Sequence, residues 1–583
     1  MRAGAAAPLA VSPLDFYMNV SLSRRRRIAV VLLVVGVFWL PRATALGHFV
    51  TPDEPRWVTR SANFYQALWA GRPVDTFQSN HPGVTAMWVG TVTFVLRYPE
   101  YPDHIRAQVP MTFSGVEAVL RAQGRSTLGM LVTARFLMLI VETIVLVAAG
   151  WYAARLLGFG PTVAGFALLA IDSFHIPNTR ILHLDALQGG LMLLSVLALV
   201  SHARAGGKSR DLVISGVVGG LAMLTKISAI VLIPFAGLFI LLEAWRTRST
   251  EPGETTDWIK QTARTFIIWS VSAVLIALII WPTTWGAPLH TFEGLFRISS
   301  KVGGSAGNQA PDFFMGRIQR DVGALFYPVS YLWAAMPLVW GGLVLAAVAA
   351  ARRWAPFDEP GRRFAYLVLL AFAVAYVAEL MLAGIKAQRY LLPAHLEMVL
   401  LAGSGWVAGM LRVWRIERPR AVRIAAAAAL ALLVAQHVAA LIRSAPYYYT
   451  YDNALMGGRR TLRKVMTDGE GEGLELAARY LNAKPDADRL VVCSWYGYGP
   501  FSYFFRGQTS ILEARWSDKV AQRLDSADYL VAYEHQWKRQ LPSAEFISYL
   551  DRLEPEHVVR IDGLEYVRIY RLRGTPIAAE LRR

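Results

Sequence analysis

Cysteine is almost absent from this chain: Cys493 is the single one in 583 residues. One thiol excludes an intramolecular disulfide framework and a Cys-based zinc cluster. Charge is scarce as well, at 17% of residues, where soluble domains carry about 25%. There is no Gly-rich strand-to-helix phosphate loop, which removes the usual sequence mark of a nucleotide site. Repeats and low-complexity linkers are also missing. What the chain has is apolar length: 54% of its residues are hydrophobic, 18 are Trp, and apolar runs of about 20 residues, the reach needed to cross a bilayer, recur between 28 and 441. An ordinary soluble enzyme is excluded and a polytopic membrane protein is implied.

The formal charge of +18 does not point to nucleic acid. Such a partner needs a basic patch on a soluble face, whereas these Lys and Arg interrupt hydrophobic segments. Arg24, Arg25, Arg26 and Arg27 precede the run 28–40, which reads as a retained first span although Ala43 and Ala45 resemble a signal-peptide cleavage site. Further spans are expected at 128–150, 160–176, 184–201, 211–225, 228–244, 265–281, 329–351, 364–383, 391–411 and 424–442, about eleven in all. With the N-terminal tail 1–27 inside, the segments assigned to the cytoplasm hold 22 Lys and Arg against 9 Asp and Glu, as the positive-inside rule requires. The odd number places everything after 442 on the extracytoplasmic face.

The expected fold is therefore an α-helical polytopic module, 28–442, with long outer loops at 48–127 and 282–328 and a soluble extracytoplasmic α/β domain at 443–583. The long loops carry Trp, Phe and Arg in amphipathic stretches that suit helices lying in the interface plane. In the tail, 473–481 reads as a helix, 490–495 and 527–533 as strands, and 558–570 as a hairpin turning at Asp562 and Gly563. The tyrosines at 447–449 and Tyr451 read as an interfacial belt or as sugar-stacking rings.

Ionisable residues beside membrane spans are costly and mark pathways or sites. On the outer face these are Asp53 and Glu54 between Pro52 and Pro55, then Arg180, His183 and Asp185 at the entry to a span. Lys226 stands at a tight turn, and Lys386, Arg389 and Tyr390 at the mouth of another span. Each has a plainer reading: solvated acids in a loop, an N-cap for Asp185, snorkelling for the cations. His81 in the first loop is structural or substrate-binding. Taken together, acids that can accept a hydroxyl proton and cations that can hold a lipid phosphate converge on one membrane face. Transfer of a group from a lipid phosphate to a hydroxyl needs both.

The Asp-Glu of the first loop, the Arg-x-x-x-x-Asp entry from Arg180 to Asp185, the turn ending at Lys226 and the Lys-x-x-Arg-Tyr-Leu-x-Pro stretch from Lys386 occur in an order that resembles GT-C glycosyltransferases of the protein O-mannosyltransferase (family 39, PMT) and lipid A aminoarabinose transferase type. The resemblance implies a GT-C fold in the plasma (inner) membrane. It also implies an inverting transferase that takes a monosaccharide from a polyprenyl-phosphate donor and gives it to a hydroxyl on a protein, lipid or envelope glycan. By position it makes Asp53 the base with Glu54 beside it, and Asp185 the group that orients acceptor or sugar. Lys226 and Arg389 fall where donor-phosphate contacts are expected, Lys386 and Tyr390 beside them are candidates for the same role, and His81, Arg180 and His183 are candidate substrate-binding residues. No cofactor is required in this reading and no metal is expected, although Asp53, Glu54, His81, His183 and Asp185 are of ligand type. The rival from another class is a lipid-linked sugar transporter, which would put its charges near the bilayer midplane.

Overall fold

The computed structural model describes residues 23–78, 81–111, 115–204, 208–247, 257–303, 310–415, 419–467 and 469–572. Helices occur at every expected span. Among the described residues, seven are long and apolar enough to cross a membrane by themselves. Their surroundings differ: Asp185–Arg204 is packed on nearly all sides, whereas Arg420–Ser444 leaves most of its apolar surface outward. An all-round apolar helix is stable in either place only because lipid or protein covers it.

Two expected spans are not continuous: the run 160–176 is helical only over Phe159–Ala170, with a separate turn at His175–Asn178, and another is bent. The run 329–351 is two helices, Phe326–Ala334 and Pro337–Ala351, that meet at 110°. Pro337 is the cause: the residue before a proline is driven out of the helical region, and Met336 is extended at φ −64°, ψ 154°. The second of these helices lies very close to Leu392–Arg415, where a Cβ on Gly405 would sit 2.0 Å from the Gly342 carbonyl oxygen. Small residues let membrane helices approach in this way.

The first outer loop folds into Glu54–Trp69, Val84–Arg97 and Gly115–Ala122. Glu54–Trp69 is not an interfacial helix with one wet face, because most of its residues, Trp57, Val58, Ala62 and Phe64 among them, are buried in protein. The second long loop contributes helices and a small antiparallel hairpin, β1 (Asp312–Phe314) and β2 (Arg317–Gln319).

After the last apolar helix the chain forms a five-stranded mixed sheet: β3 (Val491–Ser494), β4 (Gln508–Ile511), β5 (Tyr529–Tyr533), β6 (His557–Ile561) and β7 (Leu564–Arg571), in the order β4-β3-β5-β7-β6. The first three strands are mutually parallel, and β7 joins β5 and β6 antiparallel. Helix Leu474–Asn482 packs on this sheet through Leu474, Ala477, Ala478 and Leu481. The β6–β7 turn has positive φ at Asp562 and Gly563, the geometry a two-residue hairpin turn demands. Strand β4 and the β1–β2 hairpin were not expected from the sequence.

Candidate functional site

The ten residues singled out in the sequence separate into two groups. Asp53 caps the Glu54–Trp69 helix without bonding its backbone, so its carboxylate is free to point elsewhere. It meets Arg389, whose Nη2 lies 2.6 Å from Asp53 Oδ2. The same guanidinium reaches Asp185 with Nε (3.2 Å) and Glu470 with Nη1 (2.5 Å). His183 bridges the two aspartates, Nε2 to Asp53 at 3.4 Å and Nδ1 to Asp185 at 3.0 Å. Lys226 completes the cluster 2.5 Å from Asp185, with its ammonium 3.4 Å over the Tyr390 ring. Residues from five separate stretches of chain, from Asp53 to Glu470, thus form one ionic network.

Local folding explains this convergence. Asp185 opens the Asp185–Arg204 helix, Lys226 ends Ser209–Thr225, and Arg389 lies in the single 3-10 turn Gln388–Leu391 that leads into Leu392–Arg415. All three are therefore at the same end of the helical module. The first loop is tied there by Gly83 N to Thr225 O (3.2 Å) and by Thr85 to Thr225 (2.9 Å). This brings His81 close enough to Lys226 to feel its charge; burial and that charge push the imidazole down to about 4, so His81 is neutral at pH 7.

Asp53 remains one-third exposed, Arg389 18% and Glu470 22%, whereas Asp185 and Lys226 are buried. Burial by itself would raise the Asp53 carboxyl. The hydrogen bond from His183 and the charge of Arg389 outweigh it and hold the group below the usual carboxylate range. His183 shifts the other way: burial lowers it, but Asp185 and Asp53 raise it above an ordinary imidazole. Burial also raises Glu470, against the pull of Arg389.

Glu470 has no counterpart in the sequence reading. It comes from the 469–473 segment, where glycine and glutamate alternate, and that alternation is the signal. Gly469 has φ +137°, and a Cβ there would stand 2.6 Å from the Tyr533 hydroxyl. Only glycine lets this strand of chain pass β5 and deliver Glu470 to Arg389. A cavity of about 170 Å³ opens beside the network, bounded by Lys386, Arg389 and Asn178 on one side and by Glu470, His535 and Arg539 on the other. Tyr448, Tyr449 and Tyr451 also line it. Lys386 faces this cavity but bonds its own backbone neighbour, Ala383 O at 2.5 Å, and makes no ion pair with the cluster.

Two expected site residues lie elsewhere. Glu54, adjacent to Asp53 in sequence, turns inward and is fully buried. It pairs bidentately with Arg135 and accepts from Thr51 N (2.9 Å), Thr51 Oγ1 (3.0 Å) and Leu182 N (2.8 Å). Both oxygens are saturated, so it holds the two outer loops together and has no face for substrate. The physical reason is helical: one residue further into the turn, its side chain leaves the network by about 100°. Arg180 is likewise a strut, donating to the carbonyls of Thr44, Ala45 and Pro446 and stacking on Tyr448. Among the described residues, no group of three or more His, Cys, Asp or Glu side chains is arranged to hold a metal ion.

Comparison with known proteins finds a local family match and similar solved structures. No curated protein matches the chain. In overall structure it is similar to ArnT from Cupriavidus metallidurans bound to undecaprenyl phosphate, at 13% identity and a TM-score of 0.46, covering 95% of this chain and 99% of that one. It is also similar to the oligosaccharyltransferase AglB from Archaeoglobus fulgidus in complex with an inhibitory peptide and a dolichol-phosphate, at 10% identity and a TM-score of 0.44, covering 93% and 74%. Residues 127–281 match the family model described as dolichyl-phosphate-mannose-protein mannosyltransferase. That stretch holds His183, Asp185 and Lys226, so the match falls on part of the ionic network and covers about a quarter of the chain.

Proposed function

We propose that this membrane protein is an inverting glycosyltransferase that moves a monosaccharide from a polyprenyl phosphate to a hydroxyl acceptor, with its site and C-terminal domain on the extracytoplasmic face of the inner membrane. The observation that carries the reading is the Arg389 guanidinium, shared among Asp53, Asp185 and Glu470 at the edge of a cavity where the helical module meets the C-terminal segment. A carboxylate and a cation in contact are the two parts such a transfer needs; Arg389 and Glu470 line the cavity, and Asp53 joins them through Arg389.

Asp53 accepts the proton of the acceptor hydroxyl while that oxygen attacks the anomeric carbon. The bond from the anomeric carbon to the phosphate oxygen breaks on the opposite face, and its electron pair leaves with the lipid phosphate. Arg389 stabilises the charge that grows there, an effect commonly worth about 100- to 1,000-fold in rate. In the structure all three guanidinium donor positions face carboxylates, so the donor phosphate takes the place of Glu470, the acid with the raised proton affinity. Lys226, held by Asp185 and the Tyr390 ring, adds a second positive charge behind it. His183 sets the Asp53 carboxylate between acceptor and guanidinium. The acids that could hold a cation are already matched by Arg389 and Lys226, and we propose chemistry without a metal.

Transfer assays in membranes, with a panel of labelled polyprenyl-phosphate sugars, test the reading. Transfer from one of them that weakens in Arg389→Ala is the expected result. Absence of transfer with every donor, together with transbilayer movement of the lipid-linked sugar, would favour the transporter.

A further inference from the structure

Away from the ionic network, at the opposite end of the helices, lies an apolar groove of about 310 Å³ between three helices. Helix Arg24–Ala43 contributes Val31, Val34, Val35 and Phe38, helix Thr127–Leu157 contributes Gly150 and Trp151, and helix Phe159–Ala170 contributes Phe159 and Phe166. Its two hydroxyl-bearing residues are already satisfied: Thr162 donates to Gly158 O (2.9 Å), and Thr143 donates to Leu139 O (2.7 Å) and accepts from Trp39 Nε1 (3.0 Å). Water in such a space finds no partner. Val31, Val147 and Trp151 are 39%, 46% and 50% exposed, so the groove is open along one side to whatever surrounds the helices.

Its mouth is cationic. The Arg27 guanidinium stands 5.5 Å over the Phe159 ring, and that of Arg155 4.6 Å over Trp151, so a charge sits on each aromatic wall. Arg27 belongs to the run of four arginines that opens its helix, in which the first turn holds no acid. Arg155 is shared with Asp211 at 3.4 Å. From Val31 to Phe38 the groove runs about 10 Å along the helix axis. Hydrocarbon walls with positive charge at one end match one class of ligand, an amphiphile with an acidic head.

We propose that this groove is a binding site for an anionic diacyl phospholipid of the bilayer, with an acyl chain between the three helices and the phosphate against Arg27 and Arg155. The site is separate from the transfer chemistry and does not rest on it. Its occupant fills the space left between the first helix and the next two, which already touch through Trp39 and Thr143 and through Arg27 and Phe159.

Native mass spectrometry of the purified full chain, after exchange into phosphatidylglycerol, phosphatidylcholine or polyprenyl phosphate, tests this. One retained phosphatidylglycerol is expected, favoured over phosphatidylcholine by about 5-fold for each engaged arginine. In Gly150→Leu the new side chain points toward Phe166, since a Cβ at 150 already comes within 3.5 Å of that ring, and lipid retention should fall at least about 10-fold at unchanged melting temperature. Arg27→Gln with Arg155→Gln should remove the preference between headgroups while leaving a lipid bound, and this pair answers the question if Gly150→Leu does not fold. Equal retention of the two phospholipids by the native chain, unchanged binding in both variants, or displacement of phosphatidylglycerol by equimolar polyprenyl phosphate would overturn the proposal.

Discussion

Two arginines take an acid from the same turn and use it differently. Arg135 receives Glu54 in a dry, bidentate pair, 3% and 0% exposed, in which every carboxylate oxygen is bonded. Arg389 receives Asp53 while also serving Asp185 and Glu470, and keeps an edge on a cavity. One residue of separation along the chain thus divides a structural clamp from a group that can exchange partners. Charge in a membrane protein is informative only with its saturation: a closed pair reports stability, and a shared, half-open cation reports chemistry.

If that distinction holds, substitutions in the open cluster change rate and those in the closed cluster change stability. The largest rate effect is expected in Asp53→Asn, a loss of about 100- to 10,000-fold in transfer with normal insertion into the membrane. Arg389→Ala should lose about 100- to 1,000-fold in kcat/KM for the donor, with the rate rising in proportion to donor concentration over the native range. Glu54→Gln leaves Arg135 buried without its charge partner, a defect that typically costs about 3–5 kcal/mol. Thermal unfolding in detergent should show that loss, while the folded fraction keeps nearly native turnover; a native melting temperature with lost turnover would erase the contrast between the clusters.

The smallest effect concerns pH. Glu470 has a raised pKa, so on acidification it takes up a proton while Asp53, held low, is still ionised. Protonation releases one arm of Arg389, and donor KM should therefore fall a few-fold as pH is lowered through the Glu470 transition. Glu470→Gln should show the low-pH KM at every pH.

Much of the fold is legible because membrane helices announce themselves by length and composition, and Arg24 to Arg27 with the later basic loops give the first span its flank. The bend at Pro337 was readable in principle, since proline constrains its predecessor, but hydropathy averages across it. Strand β4, four residues with no fully buried position, has too weak an alternation to stand out. In the site, Asp53, His183, Asp185, Lys226 and Arg389 are legible as polar residues where apolar ones are expected. Glu54 misleads because adjacency in sequence says nothing about which way a helix turns. The missing clue was Arg135, a cation inside an apolar run that needs a buried acid. Glu470 leaves only the glycine–glutamate alternation of 469–473 as its sign, because its meaning depends on an arginine 81 residues earlier and on three glycines that allow the approach.

The central claim, that Asp53 is the base of a lipid-phosphate glycosyl transfer, meets its most direct test in Asp53→Asn assayed for both steps at once. Membranes bearing the variant would be given the labelled polyprenyl-phosphate sugar that the native chain uses, and donor retention and product would be measured together. The predicted result is native donor retention with product reduced by at least about 100-fold; turnover equal to the native chain would contradict it.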